Sequence, residues 1–197
     1  AADEGPAEAD ATAVATAHGT PLLVLFGSNL GTAEGIANRL GREGADRGYA
    51  VTVAALDDHG PDLPAEGAVL VVSASYNGEA PENAAAFVDK LRSRAVPDGA
   101  YAGVRFTVFG CGDTDWAATY QAVPILLDAE LERLGGTRIH PRGAGDAQAD
   151  FDGQYRAWHA DLWADLAAGL GLSERQAQVT AAGPRLTTRE FEVLSLL

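Results

Sequence analysis

The sequence predicts one open, doubly wound α/β domain, in which helices cover both faces of a parallel β-sheet. Short apolar stretches alternate along the chain with longer segments that have helical spacing of apolar residues, an alternation typical of parallel α/β sheets. Most of the apolar stretches are continuous, as in strands that are covered on both faces. With 197 residues, of which 47% are hydrophobic, the chain can bury one sizeable core.

The predicted elements follow one another in a regular order. The first strand, residues 22–26, begins just after Pro21, and a helix is predicted over residues 32–47. A second strand with alternating apolar residues covers 51–56, and a continuous third strand covers 68–72. The remaining elements are a helix at 83–94, a strand at 104–109, a helix at 118–134, a short strand near 137–140 and a helix at 151–170.

The two ends of the chain lack this pattern. Residues 1–19 contain eight alanines and four carboxylates, so they cannot bury enough surface to offset their ordering entropy. We therefore predict a disordered linker at 1–19, a domain at 20–172, and a linker or the start of a truncated further segment at 173–197. Because the chain contains no methionine, we expect it to be a piece of a longer protein.

Composition excludes several classes of function. The chain has 28 acidic and 14 basic residues and a net charge of -14, which would repel nucleic acids and anionic membrane surfaces. The single cysteine cannot form an internal disulfide, and no apolar run is long enough to span a bilayer. The four histidines are dispersed and predict no metal site. These features predict a soluble, cytoplasmic protein.

The loop after the first strand has the composition of a phosphate-binding turn. It is Gly-Ser-Asn-Leu-Gly-Thr-Ala-Glu-Gly over residues 27–35 and leads directly into a helix. Such a turn presents backbone N–H groups, hydroxyls and the positive end of the helix dipole to an anion. It lacks both the Walker A lysine and the glycine spacing of a dinucleotide fingerprint. An ordinary helix cap by Ser28, Asn29 or Thr32 is the alternative.

Aromatic residues follow the third and fourth predicted strands. Tyr76 precedes Asn77 and Gly78, which favour a tight turn, and Trp116 lies in a polar loop shortly after Gly112. In parallel α/β sheets, ligands bind at the carboxyl ends of the strands. Each ring taken singly fits a packing role, but two rings beside a phosphate loop favour a planar ligand stacked between them.

A phosphate at one end and a planar ring at the other describe a mononucleotide flavin. Glycines in the aromatic loops would let backbone groups approach the ring edge and tune its electronics. Glu79, Asp113 and Asp115 surround this position, and we expect no lysine or arginine near it. We expect this negative charge to disfavour the fully reduced, anionic flavin and to favour one-electron transfer.

The motifs resemble those of flavodoxin-like FMN domains, in particular the FMN domain of bacterial self-sufficient P450/NADPH-P450 reductase fusions of the P450 BM3 type. The resemblance rests on residues 25–34, 74–78 and 109–113, on Trp116, and on residues 119–124. It implies a flavodoxin-like, five-stranded parallel sheet of order 2-1-3-4-5. It also implies that FMN binds with its ring between Tyr76 and Trp116.

The resemblance further implies which residues would contact FMN. The phosphate would be held by Ser28, Asn29, Leu30, Gly31, Thr32 and Ala33. Further contacts would come from Ser75, Asn77, Gly78, Glu79, Cys111, Gly112, Asp113, Thr114, Tyr120, Gln121 and Ala122. Leu30, Glu79 and Ala122 stand where the family has other residues, which bears on surface recognition more than on flavin binding. No residue is implied to be a catalytic acid, base or nucleophile.

An electron relay is the function that the resemblance implies. In the family, NADPH reduces FAD on a reductase domain, and FMN passes electrons one at a time to the haem of a P450 domain, which acts as a fatty-acid-type monooxygenase. Residues 1–19 would lead from the haem domain, and residues 173–197 toward the FAD domain. A stand-alone flavodoxin and an FMN-dependent quinone reductase are the alternatives.

Two other classes with related folds do not fit. A phosphoacceptor receiver domain needs carboxylates where this chain has Ser28 and Ser75, and a lysine after the fifth strand, whereas no lysine follows Lys90. A short-chain dehydrogenase needs a Tyr-x-x-x-Lys pair, and no tyrosine here has a lysine at that spacing.

Overall fold

The computed structural model describes residues 17–173 and 176–178. Within them lies a six-stranded sheet formed by β1 (Pro21–Gly27), β2 (Ala50–Ala55), β3 (Ala68–Ala74), β4 (Arg105–Gly112), β5 (Thr137–Arg138) and β6 (Gly143–Asp146). The helices are α1 (Thr32–Asp46), α2 (Leu56–His59), α3 (Ala85–Arg92), α4 (Ala122–Arg133), α5 (Phe151–His159) and α6 (Leu162–Gly169). Short 3₁₀ segments at Glu82–Ala84 and Thr114–Thr119 precede α3 and α4.

The sheet is parallel, and its strand order is β2-β1-β3-β4-β5. This confirms the order 2-1-3-4-5 and the doubly wound fold class. The sixth strand was not predicted. It pairs with the carboxyl-terminal half of β4, whereas β5 pairs with the start of β4. Because β6 is Gly-Ala-Gly-Asp, it carries no large apolar residue that a hydrophobic pattern could detect.

Alternate residues of the strands point to opposite faces, and each face carries its own core. One core lies under α1, α5 and α6 and includes Leu22, Val24, Leu40, Leu70, Phe109, Trp158 and Leu162. The other lies under α3 and α4 and includes Leu23, Leu25, Val69, Val71, Phe87, Phe106, Leu127 and Leu131. Burial on both faces explains why β1 and β3 are continuous apolar runs.

Several predicted boundaries were wrong for local reasons. The helix predicted at 151–170 is two helices, separated at Ala160 and Asp161. The helix predicted at 118–134 begins only at Ala122, because the preceding residues form a 3₁₀ segment. Leu56, assigned to the second strand by its alternation, instead begins α2.

A buried histidine ties the last two helices to the sheet. The Nε2 of His140 donates to the carbonyl of Trp158 at 2.9 Å, and its Nδ1 lies 2.7 Å from the Asp165 carboxylate. The described part of the chain contains no helix long and apolar enough to cross a membrane. The linker predictions for 1–19 and 173–197 fall almost entirely outside the described residues.

Candidate functional site

The carboxyl ends of β1, β3, β4 and β6 lie side by side at one edge of the sheet. Three residue pairs mark this register: Gly27 with Ser73, Ala74 with Cys111, and Gly112 with Asp146. The loops that follow these strands therefore emerge together, at 28–31, 75–81, 113–121 and 147–150. Every candidate residue named from the sequence belongs to these loops or to the element ends beside them.

The amino end of α1 has no side-chain cap. Its N-cap position is Gly31, in the left-handed region at φ 90°, and no side chain of residues 17–173 or 176–178 accepts from the first-turn N–H groups there. Ser28 Oγ accepts instead from the Gly31 N–H, at 3.0 Å. The predicted alternative, a helix cap by Ser28, Asn29 or Thr32, is therefore not formed. The N–H groups that begin the helix, including those of Thr32 and Ala33, are available to an anion.

The phosphate-type loop is held by hydrogen bonds to the segment that connects β3 with α3. The Ser28 N–H donates to Asn83 Oδ1 at 2.9 Å, and Asn29 Oδ1 accepts from the Glu82 N–H at 2.8 Å. The hydroxyl of Tyr76 accepts longer bonds, of 3.4 and 3.3 Å, from the N–H groups of Asn29 and Leu30. The Tyr76 side chain thus reaches from the second loop to the first.

Residues 76–79 form a two-residue hairpin turn. Tyr76 and Glu79 exchange both backbone hydrogen bonds, at 3.0 and 2.9 Å. Asn77 and Gly78 both have positive φ, at 52° and 84°, a conformation that Asn-Gly favours. The turn therefore projects the Asn77 and Gly78 peptide groups at the edge where a ring was predicted to bind.

The expectation that no basic residue lies near the acidic turn was wrong. Arg92, at the end of α3, lies 3.2 Å from Glu79 Oε2 and donates to the Gly78 carbonyl at 3.1 Å. The contact joins residues 13 and 14 positions apart, so the sequence neighbourhood of Glu79 could not show it. The charge of Glu79 is therefore paired, whereas Asp113 and Asp115 form no ion pair within the described residues.

Trp116 is exposed on the third loop. Its side chain is 60% exposed, and its backbone breaks the 3₁₀ segment Thr114–Thr119 into two parts. A large aromatic ring left this open to water is costly unless another group covers it. Leu30, across the edge on the first loop, is 81% exposed.

Asp146, at the end of β6, anchors the Trp116 loop. Its carboxylate accepts from the Thr114 N–H at 3.0 Å, the Thr114 hydroxyl at 2.8 Å and the Gln148 N–H at 3.0 Å. The Gln148 N–H, together with both Thr114 groups, lowers the pKa of Asp146, against a smaller opposing effect of burial. Gln148 also donates to Asp113, at 3.1 Å. The last strand and its loop therefore set the position of the third loop.

Gln121 is placed inside the site rather than at its surface. It is 1% exposed, has φ 59°, and donates from Nε2 to the carbonyls of Gly110 and Gly145, at 3.0 and 3.3 Å. A side chain on Gly110 would collide with it and with Pro124. Gln121 thus joins the ends of β4 and β6. Tyr120 packs beside Gly112, where an added Cβ would lie 2.8 Å from the ring.

The Cys111 side chain points into the core under α1 and α5. Burial raises the pKa of its thiol to about 12, so the group is a neutral thiol at physiological pH. Contacts between Cys111 and a ligand at the sheet edge would have to come from its backbone.

The donors at this edge fit FMN. A phosphate monoester matches the uncapped helix end and its loop, and a planar ring matches the aromatic side chains of Tyr76 and Trp116, which lie on the loops after β3 and β4. The buried hydroxyl of Ser75, between these two places, has no hydrogen-bond partner among the described residues. No group of three or more metal-ligating side chains lies together in residues 17–173 and 176–178.

Sequence reasoning missed residues that support the site from a distance. Asn83, Arg92, Asp146 and Gln148 hold the three candidate loops, yet each is remote in sequence from the loop it holds or lies next to an undetected strand. Only the Asn-Gly turn and the start of α1 could be recognised from neighbouring residues in the sequence.

A cavity of about 420 Å³ lies apart from this site. It is lined by residues of the segments that lead into β3 and β4, among them Pro61, Leu63, Lys90, Val96 and Tyr101.

The fold and the site define a flavin-mononucleotide-binding protein of the electron-carrier class. The flavodoxin family model matches residues 24–158, and the chain belongs to the flavodoxin family. Flavodoxin domains bind FMN. Two solved structures share the fold: a flavodoxin variant from Pseudomonas aeruginosa, with TM-score 0.59 and 24% identity over 74% of this chain and 98% of that chain, and flavodoxin 1 from Bacillus cereus, with TM-score 0.60 and 16% identity over 76% and 98%.

Longer curated proteins are more similar in sequence. The chain is 46% identical over 157 residues to the bifunctional cytochrome P450/NADPH--P450 reductase 2 of Bacillus subtilis (strain 168), covering 80% of this chain and 15% of that protein. It is 44% identical over 165 residues to reductase 1 of the same strain, covering 84% and 15%. The chain therefore spans about one seventh of the length of these relatives, in agreement with the predicted resemblance to their FMN domain.

Proposed function

We propose that this domain carries FMN and relays electrons one at a time from an NADPH-reduced FAD domain to a P450 haem, within a fused monooxygenase of the fatty-acid type. The observation that carries the proposal is the meeting of an uncapped helix end, an Asn-Gly turn and an exposed tryptophan at one sheet edge. Sequence similarity to P450/NADPH-P450 reductases across the domain supports the fused setting.

Different residues of the chain would bind the phosphate and the ring of FMN. Ser28, Gly31 and the first N–H groups of α1 would hold the phosphate, and Tyr76 and Trp116 would enclose the ring. The Asn77–Gly78 turn would present backbone groups to the ring edge. FMN, when bound, supplies the capacity to accept and release single electrons. No side chain is required as a general acid or base, because the ring edge itself would be the point of electron entry and exit.

The proposal includes an arrangement of domains and a location. Residues 1–19 would join the domain to a haem domain, and residues 173–197 would lead toward an FAD/NADPH reductase domain. The acidic composition argues against nucleic-acid and anionic membrane partners, and a free buried thiol with an NADPH-linked role suits the cytoplasm. A stand-alone flavodoxin or quinone reductase would instead be encoded by a short gene, so the length of the complete gene product separates these alternatives.

FMN titration of the flavin-free domain tests the central claim. We expect wild type to bind FMN with quenching of flavin fluorescence. Trp116→Ala should weaken binding at least about tenfold, because the ring loses both stacking and covered area. Trp116→Phe, which keeps an aromatic face, should recover most of the affinity.

Circular dichroism provides the control for folding in both variants. Wild-type protein that remains colourless after addition of FMN would contradict the proposed function. Equal FMN affinities for Trp116→Ala and wild type would contradict the stacking role alone.

A further inference from the structure

We propose that Arg92 is a positioning residue for the ring-edge turn: it locks the Gly78–Glu79 peptide in one orientation and balances the charge of Glu79 beside the flavin. This inference rests on the proposed function, because it assumes that the turn at 76–79 faces the FMN ring. It deepens that function by naming the residue that sets the turn's electrostatics.

The contact reaches the turn from a different element. Arg92 is the last residue of α3, and its guanidinium spans two acceptors of the turn. Nη1 lies 3.2 Å from Glu79 Oε2, and Nη2 lies 3.1 Å from the Gly78 carbonyl oxygen. The planar fork of an arginine can span two acceptors in this way, whereas the ammonium of a lysine is a single point.

The Gly78–Glu79 peptide is held at both of its polar atoms. Its carbonyl oxygen accepts from Arg92, and its N–H donates to the Tyr76 carbonyl at 2.9 Å. Rotation of this peptide would break both hydrogen bonds. The Gly78 N–H and the Asn77 peptide groups have no hydrogen-bond partner within the described residues, so they are the groups left to face the ring.

The charge at the turn is also changed by Arg92. Glu79 alone would place a negative charge beside a ring that becomes more negative on reduction. The paired guanidinium offsets that charge, and the pair is partly open to water, with side-chain exposures of 36% for Arg92 and 78% for Glu79. The field at the ring should therefore depend on both partners, in opposite directions.

Redox titration of the FMN-loaded wild type and its variants tests the charge effect. Arg92→Gln removes the positive charge and should lower the potential of the second one-electron step. Glu79→Gln leaves Arg92 unbalanced and should raise that potential. Arg94→Gln is the matched control, because Arg94 is an exposed arginine two residues further along whose side chain makes no hydrogen bond or ion pair within the described residues; it should leave the potential close to the wild-type value.

Amide hydrogen exchange in the flavin-free domain tests the lock without relying on the cofactor. The Glu79 N–H should exchange several-fold faster in Arg92→Gln than in wild type or Arg94→Gln. Arg92→Lys should keep the potential nearer to the wild-type value than Arg92→Gln does, since it keeps the positive charge.

The outcomes separate this inference from the function on which it rests. Wild-type protein that binds no FMN overturns both. Normal FMN binding combined with equal potentials in Arg92→Gln and Arg94→Gln overturns the charge effect only. Unchanged exchange of the Glu79 N–H in Arg92→Gln overturns the lock.

Discussion

Asp146 anchors the loop that carries Trp116 without belonging to that loop. One oxygen accepts from the N–H groups of Thr114 and Gln148, and the other accepts from the Thr114 hydroxyl. The same three donors that fix the loop favour the ionised carboxylate, which is why the pKa of Asp146 is lowered. Loop position and carboxylate charge are therefore coupled in this residue.

Replacement of Asp146 should loosen the Trp116 loop, and by more when the new side chain accepts fewer hydrogen bonds. We expect Asp146→Ala to lower the melting temperature of the flavin-free domain and to weaken FMN binding at neutral pH. Asp146→Asn should lose less, because its amide oxygen can still accept from both N–H groups. Thermal unfolding and FMN titration measure the two effects.

The stability difference between wild type and Asp146→Asn should depend on pH in a direction that the pKa of Asp146 determines. Because the folded-state pKa of Asp146 is lowered, the carboxylate stabilises the fold above its unfolded pKa of about 3.9. That contribution is lost as pH falls through the lower folded pKa. The advantage of wild type over Asp146→Asn should therefore shrink in acid. A difference that stays constant from neutral to strongly acidic pH would contradict the role of the charge.

At the residue scale, the sequence could show the parts of the site that have local chemistry. Ser28, Gly31 and the Asn77–Gly78 turn were recognisable because a helix entry and a tight turn need particular residues at adjacent positions. Asp146 acts on Thr114 across 32 positions, and no local pattern marks such a pair. The buried orientation of Gln121 was equally hidden, since it depends on carbonyls of two strands.

At the scale of elements, the buried face of α1 combines the large residues Ile36 and Leu40 with glycines that let the helix approach the sheet closely. Gly44 lies where α1 crosses β1, and a Cβ added there would be 2.5 Å from Leu22 Cδ2. Gly35, in the same helix, has no atom of the described part of the chain within 4 Å of an added Cβ. Gly44 is therefore tightly packed and Gly35 is open, although both glycines lie in α1.

Alanine substitutions at the two glycines should have opposite effects on stability. Gly44→Ala should destabilise the domain by about 1–3 kcal/mol through overpacking. Gly35→Ala should stabilise it by about 0.4–1 kcal/mol, because alanine restricts the unfolded chain and fits the helix. Urea unfolding followed by circular dichroism measures both changes. Equal changes at the two positions would contradict the close approach of α1 to β1.

Elements with a continuous apolar signal were predictable, and those without one were not. The runs at β1, β3 and β4 predicted the central sheet because they are buried on both faces. β6 escaped detection since its stability comes from backbone pairing with β4 and from Asp146 rather than from large side chains. The break between α5 and α6 was hidden because the apolar spacing continues across it, from Tyr155 and Trp158 to Leu162 and Leu166.

At the scale of the whole molecule, whose net charge is -14, acidic side chains are paired with basic ones in some regions and unpaired in others. At the β5 edge, Arg133 pairs with Asp98 and Glu130, and Arg138 pairs with Asp128 and Glu132. Around the candidate site, the exposed carboxylates Glu34, Glu82 and Asp115 form no ion pair within the described residues. The edge from which electrons would leave is therefore a negatively charged face.

Salt should change the electron-transfer rate in a direction that depends on the charge of the acceptor. Rates from the reduced, FMN-loaded domain to cytochrome c, a basic haem protein, should fall as ionic strength rises, because screening weakens the attraction that speeds encounter. Rates to ferricyanide, a small anion, should rise over the same range, because screening weakens a repulsion. Stopped-flow measurements with the two acceptors, using one preparation of the domain, provide the comparison. If both rates moved in the same direction, the salt would be acting on the flavin or the fold, and the acidic face would have no part in guiding the partner.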